Sequence, residues 1–309
     1  MGEIEAGRAV SRAAVTVPDL LDRLEARYIE NESQSIVDLK GKIAMLKVRF
    51  KGVRASEFGT DHIAGLKASM KRNKAANATV NRYLSALRRA FKLAERHDPP
   101  LVGRVPHFDM LPEDNTRSGF LNDTQYSELK SWMPEDLLGL LIFGYYLGMR
   151  KGALKNLRRD QVDLPNRVIR TDAPRRGPKP IGQVLPIYGD MVPWLEMQMS
   201  SWPLTPNCRW IFHREGAHIG DFRKAWASAC KAAKVPDLLF HDLRRAAVRN
   251  MELAGIPRSQ GMSITGHRTE SIYIRYGIVC EQDLKATGDT MGRAREAGRQ
   301  LSQQEGRKQ

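Results

Sequence analysis

The fold is decided by the stretch HDLRRAAVRNMELAGIP (His241–Pro257) and by TGHRTESIYIRYGIV (Thr265–Val279), which follows soon after it. Apolar residues in the first stretch recur at helical spacing, so the sequence predicts a helix with one buried face. Residues three positions apart lie on the same side of a helix. His241 and Arg244 are therefore expected to point the same way.

The second stretch and another one upstream supply further polar groups. A Gly-His turn places His267, and Tyr276 follows nine positions later. Upstream, a strongly apolar helix predicted at Leu137–Leu147 ends at Gly148, just before Arg150. The Arg150 guanidinium is therefore expected near apolar surface. There it needs a partner, and an anionic ligand is one candidate.

These residue types fit the cleavage of a phosphodiester without a metal ion. Two arginine forks can hold the negative charge that grows on the phosphate in the transition state. A tyrosine hydroxyl can attack, since nearby guanidinium groups favour its phenolate, and a Lys or His can protonate the leaving alkoxide. In chain order the candidate catalytic residues are Arg150, Lys179, His241, Arg244, His267 and Tyr276. Tyr273 is a rival nucleophile, but the spacing from His267 favours Tyr276.

The chain is expected to be mainly α-helical with a small antiparallel β-sheet, in two domains. A helix predicted at Thr79–Arg96 is stopped by the two prolines after Asp98. A stretch rich in Pro, Asp and Asn then reads as a linker. The expected boundaries are a short N-terminal segment at 1–15, a helical DNA-binding domain at 16–100, a linker at 101–118, a mixed α+β catalytic domain at 119–290 and a polar tail at 291–309.

Two short segments of alternating pattern, Arg167–Arg170 and Gln183–Ile187, predict a β-hairpin. The residues between them, PRRGPKP, form its tip and include the only lysine there, Lys179. Arg175 and Arg176 are the alternatives at this tip, although an arginine stays charged and is a poor proton donor. The proton donor is therefore expected on this hairpin.

Basic residues are concentrated in two regions of a chain whose formal net charge is +15. Between residues 40 and 96 there are fifteen basic and three acidic residues, and between 150 and 179 there are ten and three. Such a distribution is typical of a surface that follows a nucleic-acid backbone. The candidate DNA-binding residues are Lys71, Arg72, Lys74, Arg82, Arg89, Lys92, Arg175 and Arg176.

Other classes of protein are disfavoured by what the sequence lacks. No apolar run reaches the ~18–20 residues of a membrane span, and no signal-peptide pattern stands at the N-terminus. The three scattered cysteines offer no disulfide framework and no zinc-binding pair. We therefore expect a cytoplasmic, nucleoid-associated protein without a membrane association, metal or other cofactor.

The chain resembles the tyrosine recombinases of the phage-integrase type. The resemblance is carried by YLGMRKG (Tyr146–Gly152), by the two stretches quoted first, and by the pattern of the N-terminal helices; it covers about residues 16–290. It implies that Arg150 and Arg244 clamp the scissile phosphate, that His241 and His267 bind its oxygens or move protons, and that Tyr276 forms a 3′-phosphotyrosyl bond.

The resemblance also implies double-stranded DNA with core-type att sites as substrate, a homotetramer on DNA that passes through a Holliday junction, and an accessory bending or directionality factor. The expected activity is integration or excision of a phage or other mobile element. The protein is expected to be encoded by a bacterium or a phage. Alternatives are DNA relaxation of the type IB topoisomerase kind, Xer-like resolution of replicon dimers, or an inactive DNA-binding relative. Ala153 departs from the family, which often has Glu there.

Overall fold

The computed structural model describes residues 15–33, 35–113, 119–172 and 182–277, and the short pieces 285, 288–293 and 295–296 near the C-terminus. The chain divides into two compact units, Met1–Thr116 and Arg117–Gln309. Each unit has its own hydrophobic core. The described elements are mainly helical with two small antiparallel sheets, which confirms the expected fold class.

The described residues of the first unit form four helices, whose apolar faces pack together in its core. Thr16 starts the first of them through a capping box with Asp19. The fourth helix buries the stripe that its sequence period predicts, including Leu84, Leu87 and Phe91. The helices are α1 (Val17–Glu30), α2 (Ile36–Arg49), α3 (Thr60–Arg72) and α4 (Asn77–Glu95).

The predicted linker differs from the structure in its first part. Val102 and Phe108 are buried in the core of the first unit. The side chain of Asn81 in α4, itself 7% exposed, donates to the Leu111 carbonyl at 2.8 Å and accepts from the Leu111 amide at 2.9 Å. A buried amide needs such partners. Residues 101–113 are therefore part of the first unit, because they fill its core and satisfy Asn81.

The second unit surrounds one apolar helix, α6, which ends with Gly148 in a left-handed conformation (φ 60°). Asn122 caps the helix before α6. The helices are α5 (Asp123–Trp132), α6 (Glu135–Leu147), α7 (Lys151–Lys155), α8 (Met191–Ser201), α9 (Arg223–Ala232), α10 (Leu243–Leu253), α11 (Arg258–Thr265) and α12 (Glu270–Ile274). None of the described helices is long and apolar enough to cross a membrane.

Strands β1 (Val162–Asp163), β2 (Val168–Arg170) and β3 (Val184–Pro186) form an antiparallel sheet in that order. Strands β4 (His213–Arg214) and β5 (Ala217–His218) form a separate small hairpin. The predicted hairpin strands correspond to β2 and β3, in which Ile169 pairs with Leu185 and both side chains are fully buried. The sheet is thus anchored to the core of the second unit.

Candidate active site

The candidate site is organised around Arg244, whose side chain is buried in the first turn of α10 with 2% of its surface exposed. Its Nε donates to His267 Nε2 at 3.0 Å, and its Nη1 donates to the carbonyl oxygens of Gly148, at 2.7 Å, and Thr265. Its Nη2 is buried without a hydrogen-bond partner among the described residues. Buried polar groups need partners, so Nη2 is the atom that an anionic ligand would satisfy.

Two glycines allow the backbone to reach Arg244. Gly148 ends α6 and Gly266 ends α11, both with positive φ, 60° and 71°. Such a left-handed turn strains other residues. At Gly148 a Cβ atom would also lie 2.8 Å from the Cβ of Ala247, which is closer than side chains pack. The ends of α6 and α11 can therefore turn their carbonyl groups toward one guanidinium.

Tyr276 follows α12 and is half-buried beside the two histidines. Its Oη lies 2.9 Å from His241 Nε2. Its ring centroid lies 4.8 Å from that of His267 and 5.5 Å from Arg244 Cζ. His241 itself is exposed in a 3₁₀ turn, Phe240–Asp242, that leads into α10. The tyrosine hydroxyl thus has a proton acceptor within hydrogen-bond distance and a positive charge close to its ring.

The buried positive charge changes the ionisation of this cluster. Burial, and then the charge of Arg150, lowers the pKa of Arg244 to about 10, so the guanidinium stays charged at neutral pH. Burial and the charges of Arg244 and Arg150 lower the pKa of His267 to about 4. Burial, followed by Arg244, also lowers the pKa of His241. Both imidazoles are therefore neutral at pH 7.

Arg150 belongs to the same electrostatic cluster but is placed differently from the prediction. Its side chain is exposed, and its Nη1 donates to the Gly266 carbonyl at 3.4 Å. The expectation that its guanidinium lies against apolar surface was wrong. The left-handed turn at Gly148 directs the chain out of the core before Arg150 begins α7. The buried arginine is Arg244, not Arg150.

The rival candidate Tyr273 is placed differently from Tyr276. Its side chain is fully buried, and its hydroxyl has no hydrogen-bond partner among the described residues. Burial raises its pKa. A Cβ atom at Gly261 would lie 2.3 Å from the Tyr273 hydroxyl, so the glycine makes room for this ring. The Tyr273 ring packs edge-on against the His267 ring, with 5.3 Å between the two ring centroids.

A cavity of about 1220 Å³ lies beside the cluster, lined in part by Arg150, His267 and Arg268. Arg209 also lines it, with its guanidinium 4.5 Å from the centroid of the Trp210 ring. The cavity therefore has positively charged walls of the kind that suit a polyanion. Arg209 and Arg268 were not among the predicted DNA-binding residues.

The predicted hairpin tip, with Lys179, Arg175 and Arg176, lies outside the described residues. The base of the hairpin is described. There the Gln183 side chain donates to the Ser263 carbonyl in α11 at 2.7 Å. The hairpin base is thus joined to α11, which ends at Thr265 directly before Gly266 and His267.

The predicted DNA-binding residues of the first unit lie at its surface. The exposed ones are Lys71, Arg72, Lys74, Arg82, Arg89 and Lys92. Two of them have partners within the unit: Arg89 donates to the Tyr28 hydroxyl, and Lys71 donates to the Asn77 side chain at 2.9 Å. The other four are exposed, so an external anion can reach them.

His213 and His218, which flank a short loop, have partners in the second unit. His213 Nε2 lies 2.9 Å from a guanidinium nitrogen of Arg159, and His218 Nε2 lies 2.9 Å from the side-chain oxygen of Asn156. Within the described ranges, no group of three or more His, Cys, Asp or Glu side chains could hold a metal ion. Cys280 lies outside these ranges.

Thr265 is the residue of this site that the sequence analysis did not single out. Its carbonyl oxygen accepts from Arg244, and its hydroxyl lies 2.7 Å from His267 Nδ1. A hydroxyl residue two positions before a candidate histidine is the only sequence signal. That signal is weak, because it does not show that both side chains turn to the same buried point.

Comparison with known proteins identifies the family of this chain. The model of the phage integrase family matches residues 120–281, more than half of the chain. This range contains all five described candidate catalytic residues. The chain therefore belongs to the phage integrase family.

The integrase of Salmonella phage P22 is 24% identical over 229 residues, which make up 69% of this chain and 57% of that protein. The chain thus spans little more than half the length of this relative. A lambda integrase dimer bound to a COC′ core site is similar in fold, with a TM-score of 0.65, 16% identity and coverage of 85% of this chain and 77% of that one.

Two further solved structures share the fold. The Tn1549 transposon integrase (residues 82–397) in complex with circular intermediate DNA has a TM-score of 0.68 at 15% identity, with coverage of 88% of this chain and 99% of that one. A lambda integrase tetramer bound to a Holliday junction has a TM-score of 0.66 at 16% identity, with coverage of 86% and 78%. At these identities the likeness establishes the fold alone.

Proposed function

We propose that this protein is a site-specific DNA recombinase that cleaves and rejoins DNA strands through a covalent bond between Tyr276 and a 3′-phosphate. The observation that carries the proposal is the contact of the Tyr276 hydroxyl with His241, 2.9 Å apart, beside a buried guanidinium with one nitrogen left unpartnered. A nucleophile, a proton acceptor and an anion-binding group are thus within one cluster.

In the cleavage step, Tyr276 Oη attacks the scissile phosphorus and its proton passes to Nε2 of neutral His241. The bond from phosphorus to the 5′ oxygen breaks. Arg244, through Nη2, and the exposed Arg150 stabilise the negative charge on the non-bridging oxygens. The fixed position of Arg244 matters here, because a donor that is already oriented needs no reorganisation during the reaction.

The leaving 5′ oxygen must gain a proton. By family resemblance this proton comes from the β2–β3 hairpin, with Lys179 as donor and Arg175 or Arg176 as the alternatives. Rejoining is the reverse reaction: a 5′-hydroxyl attacks the phosphotyrosine, and the tyrosine leaves. The phosphodiester energy is kept in the protein–DNA bond, so neither water nor a nucleotide cofactor enters the balance.

The substrate is proposed to be double-stranded DNA with core-type sites, bound by a homotetramer, for integration or excision of a mobile element. Support comes from the similar structures, which include lambda integrase on a core site and as a tetramer on a Holliday junction. The positively charged cavity lined by Arg150 and His267 fits the same polyanion. An accessory bending or directionality factor remains part of the proposal on family grounds alone.

The test is a suicide substrate: nicked duplex DNA that carries the attachment site of the element and loses its 5′-hydroxyl strand after cleavage. Wild-type protein should form a covalent adduct that survives denaturation and forms in EDTA, whereas Tyr276→Phe should form none. Tyr273→Phe is the matched control and should retain the adduct. An adduct that persists in Tyr276→Phe would overturn the assignment of the nucleophile.

The same material separates the alternatives. Relaxation of supercoiled DNA by monomers, without synapsis or preference for a site, would indicate topoisomerase activity. Exchange between directly repeated sites on one replicon, with no exchange between attachment sites, would indicate dimer resolution. DNA binding without an adduct on any substrate would indicate an inactive relative.

A further inference from the structure

We propose that Thr265 is a positioning residue that fixes the tautomer of His267 and, through that imidazole, the orientation of Arg244. The catalytic consequence rests on the proposed function, but the tautomer does not. Thr265 is the last residue of α11, and its side chain is buried with 3% of its surface exposed. Its carbonyl oxygen bonds Arg244 directly, whereas its hydroxyl bonds Gly261 and His267, so the hydroxyl acts on Arg244 through His267.

The hydrogen-bond pattern at Thr265 allows one arrangement of protons. The Thr265 hydroxyl lies 2.7 Å from the carbonyl oxygen of Gly261 and 2.7 Å from His267 Nδ1. A carbonyl oxygen can only accept, and a hydroxyl has one proton to donate. The Thr265 proton therefore goes to Gly261, and the hydroxyl oxygen accepts from His267. Consequently His267 Nδ1 carries a proton.

The other side of the imidazole requires the same tautomer. Arg244 Nε lies 3.0 Å from His267 Nε2, and a guanidinium has only donors. His267 Nε2 must therefore present its lone pair. An imidazole with a proton on Nδ1 and a lone pair on Nε2 is the neutral Nδ1–H tautomer. Two independent contacts, one on each ring nitrogen, thus demand the same state.

The contacts of Arg244 determine which of its nitrogens can bind a phosphate. With Nε held by His267 and Nη1 held by two carbonyl groups, Nη2 is the nitrogen left over. If the Thr265 hydroxyl is removed, Nδ1 loses its acceptor and the Nε2–H tautomer becomes accessible. That tautomer would direct an N–H group at the N–H group of Arg244. The guanidinium would then have to rotate away from its present orientation.

The first experiment reads the tautomer itself. The two ring-nitrogen signals of His267, assigned by comparison with His267→Asn, are recorded by ¹⁵N NMR of the full chain at pH 7. The expected result is a protonated Nδ1 and an unprotonated Nε2 in wild type and in Thr265→Ser, and a mixture or the opposite tautomer in Thr265→Val. An unprotonated Nδ1 in the wild type would overturn the proposal whether or not the variants fold.

The second experiment measures single-turnover cleavage of the suicide substrate, with thermal melting as the check on folding. Thr265→Val should be slower by about tenfold or more, the effect of a buried donor left without an acceptor. Thr265→Ser should stay near the wild-type rate. The matched control is Ser131→Ala in α5, because the Ser131 hydroxyl also donates to a backbone carbonyl, that of Glu128 at 2.7 Å, but is exposed and does not line the cavity; its cleavage rate should equal that of the wild type.

Equal slowing of Thr265→Ser and Thr265→Val, or wild-type cleavage by Thr265→Val, would refute a positioning role. Failure of the proposed function looks different. In that case the wild type forms no adduct on any DNA, while the NMR result for His267 is unaffected.

Discussion

The exposed basic residues of the first unit and the buried Arg244 of the second unit use their charge in opposite ways. In the first unit, Arg89 and Lys92 of α4 are exposed, and Arg89 donates to the Tyr28 hydroxyl. In the second unit, Arg244 is 2% exposed and held by three acceptors. An exposed side chain can adapt to a duplex, whereas a buried one is fixed in advance.

The free-energy cost of burying the Arg244 charge is offset by the groups around it. A buried charge without partners is strongly unfavourable. At Arg244 two helix ends and a neutral imidazole supply acceptors, and one nitrogen is left over. Exposed arginines need no such arrangement, since water solvates them. We therefore expect α4 to determine affinity and the Arg244 cluster to determine rate.

The largest effect is expected from Arg244→Lys. A lysine has three donors on one nitrogen, which is too few for the three acceptors that hold Arg244 and for a phosphate as well, so cleavage of bound DNA should fall at least about 100-fold. DNA affinity should change little. Single-turnover cleavage and a binding titration measure the two quantities separately. The matched control is Arg249→Lys in the same helix, whose guanidinium lies 4.1 Å from the centroid of the Phe120 ring. If Arg244→Lys lowers DNA affinity but not the cleavage rate, then the assignment of affinity to α4 and of rate to the Arg244 cluster is wrong.

The stability of the protein should depend on His267 between about pH 6.5, the ordinary pKa of histidine, and its folded pKa of about 4. In this window the unfolded chain binds more protons than the folded one, so stability is present above the window and is lost as the pH falls. The free energy of unfolding should drop by about 2 kcal/mol from pH 7 to pH 5. Denaturant titrations at both pH values measure this.

In His267→Asn that drop should be smaller, while in His97→Asn, an exposed histidine of the first unit, it should remain. An equal drop in wild type and His267→Asn would show that the buried cluster does not lower the histidine pKa. The contrast between buried and exposed charge would then be weaker than proposed.

The smallest effect is expected from the double variant Arg89→Gln/Lys92→Gln. Loss of two phosphate contacts should weaken DNA binding by about tenfold. The slope of log affinity against log salt concentration should become less steep by about one per contact. Cleavage of bound DNA should be nearly unchanged. Arg27→Gln is the control, since its exposed guanidinium pairs with Glu30 at 3.7 Å. An unchanged salt slope in the double variant would remove α4 from the DNA-binding surface.

The local sequence was sufficient to predict secondary structure wherever a periodic pattern of apolar residues determines it. The helical period of α4 and the alternation in β2 and β3 were both predicted, because each depends on neighbours within a few residues. The glycine ends of α6 and α11 follow from the same local rules. The candidate residues His241, Arg244, His267 and Tyr276 were identified from spacing and chemistry.

Local sequence was not sufficient where partners come from distant segments. It placed Arg150 near apolar surface, although the buried arginine is Arg244. It treated residues 101–113 as linker, although they fill a core and satisfy Asn81. In both cases the decisive partner is remote in the chain, and no period in the sequence records it.

The sequence by itself thus determined the helical architecture, the two concentrations of basic charge and the identity of the chemical groups. Tertiary structure alone decided which arginine is buried, that Tyr273 is enclosed and Tyr276 accessible to His241, and that Thr265 bonds His267. The physical reason is that burial and proton placement depend on all groups within a few ångströms. At this site those groups come from the ends of α6, α11 and α12 and from the start of α10.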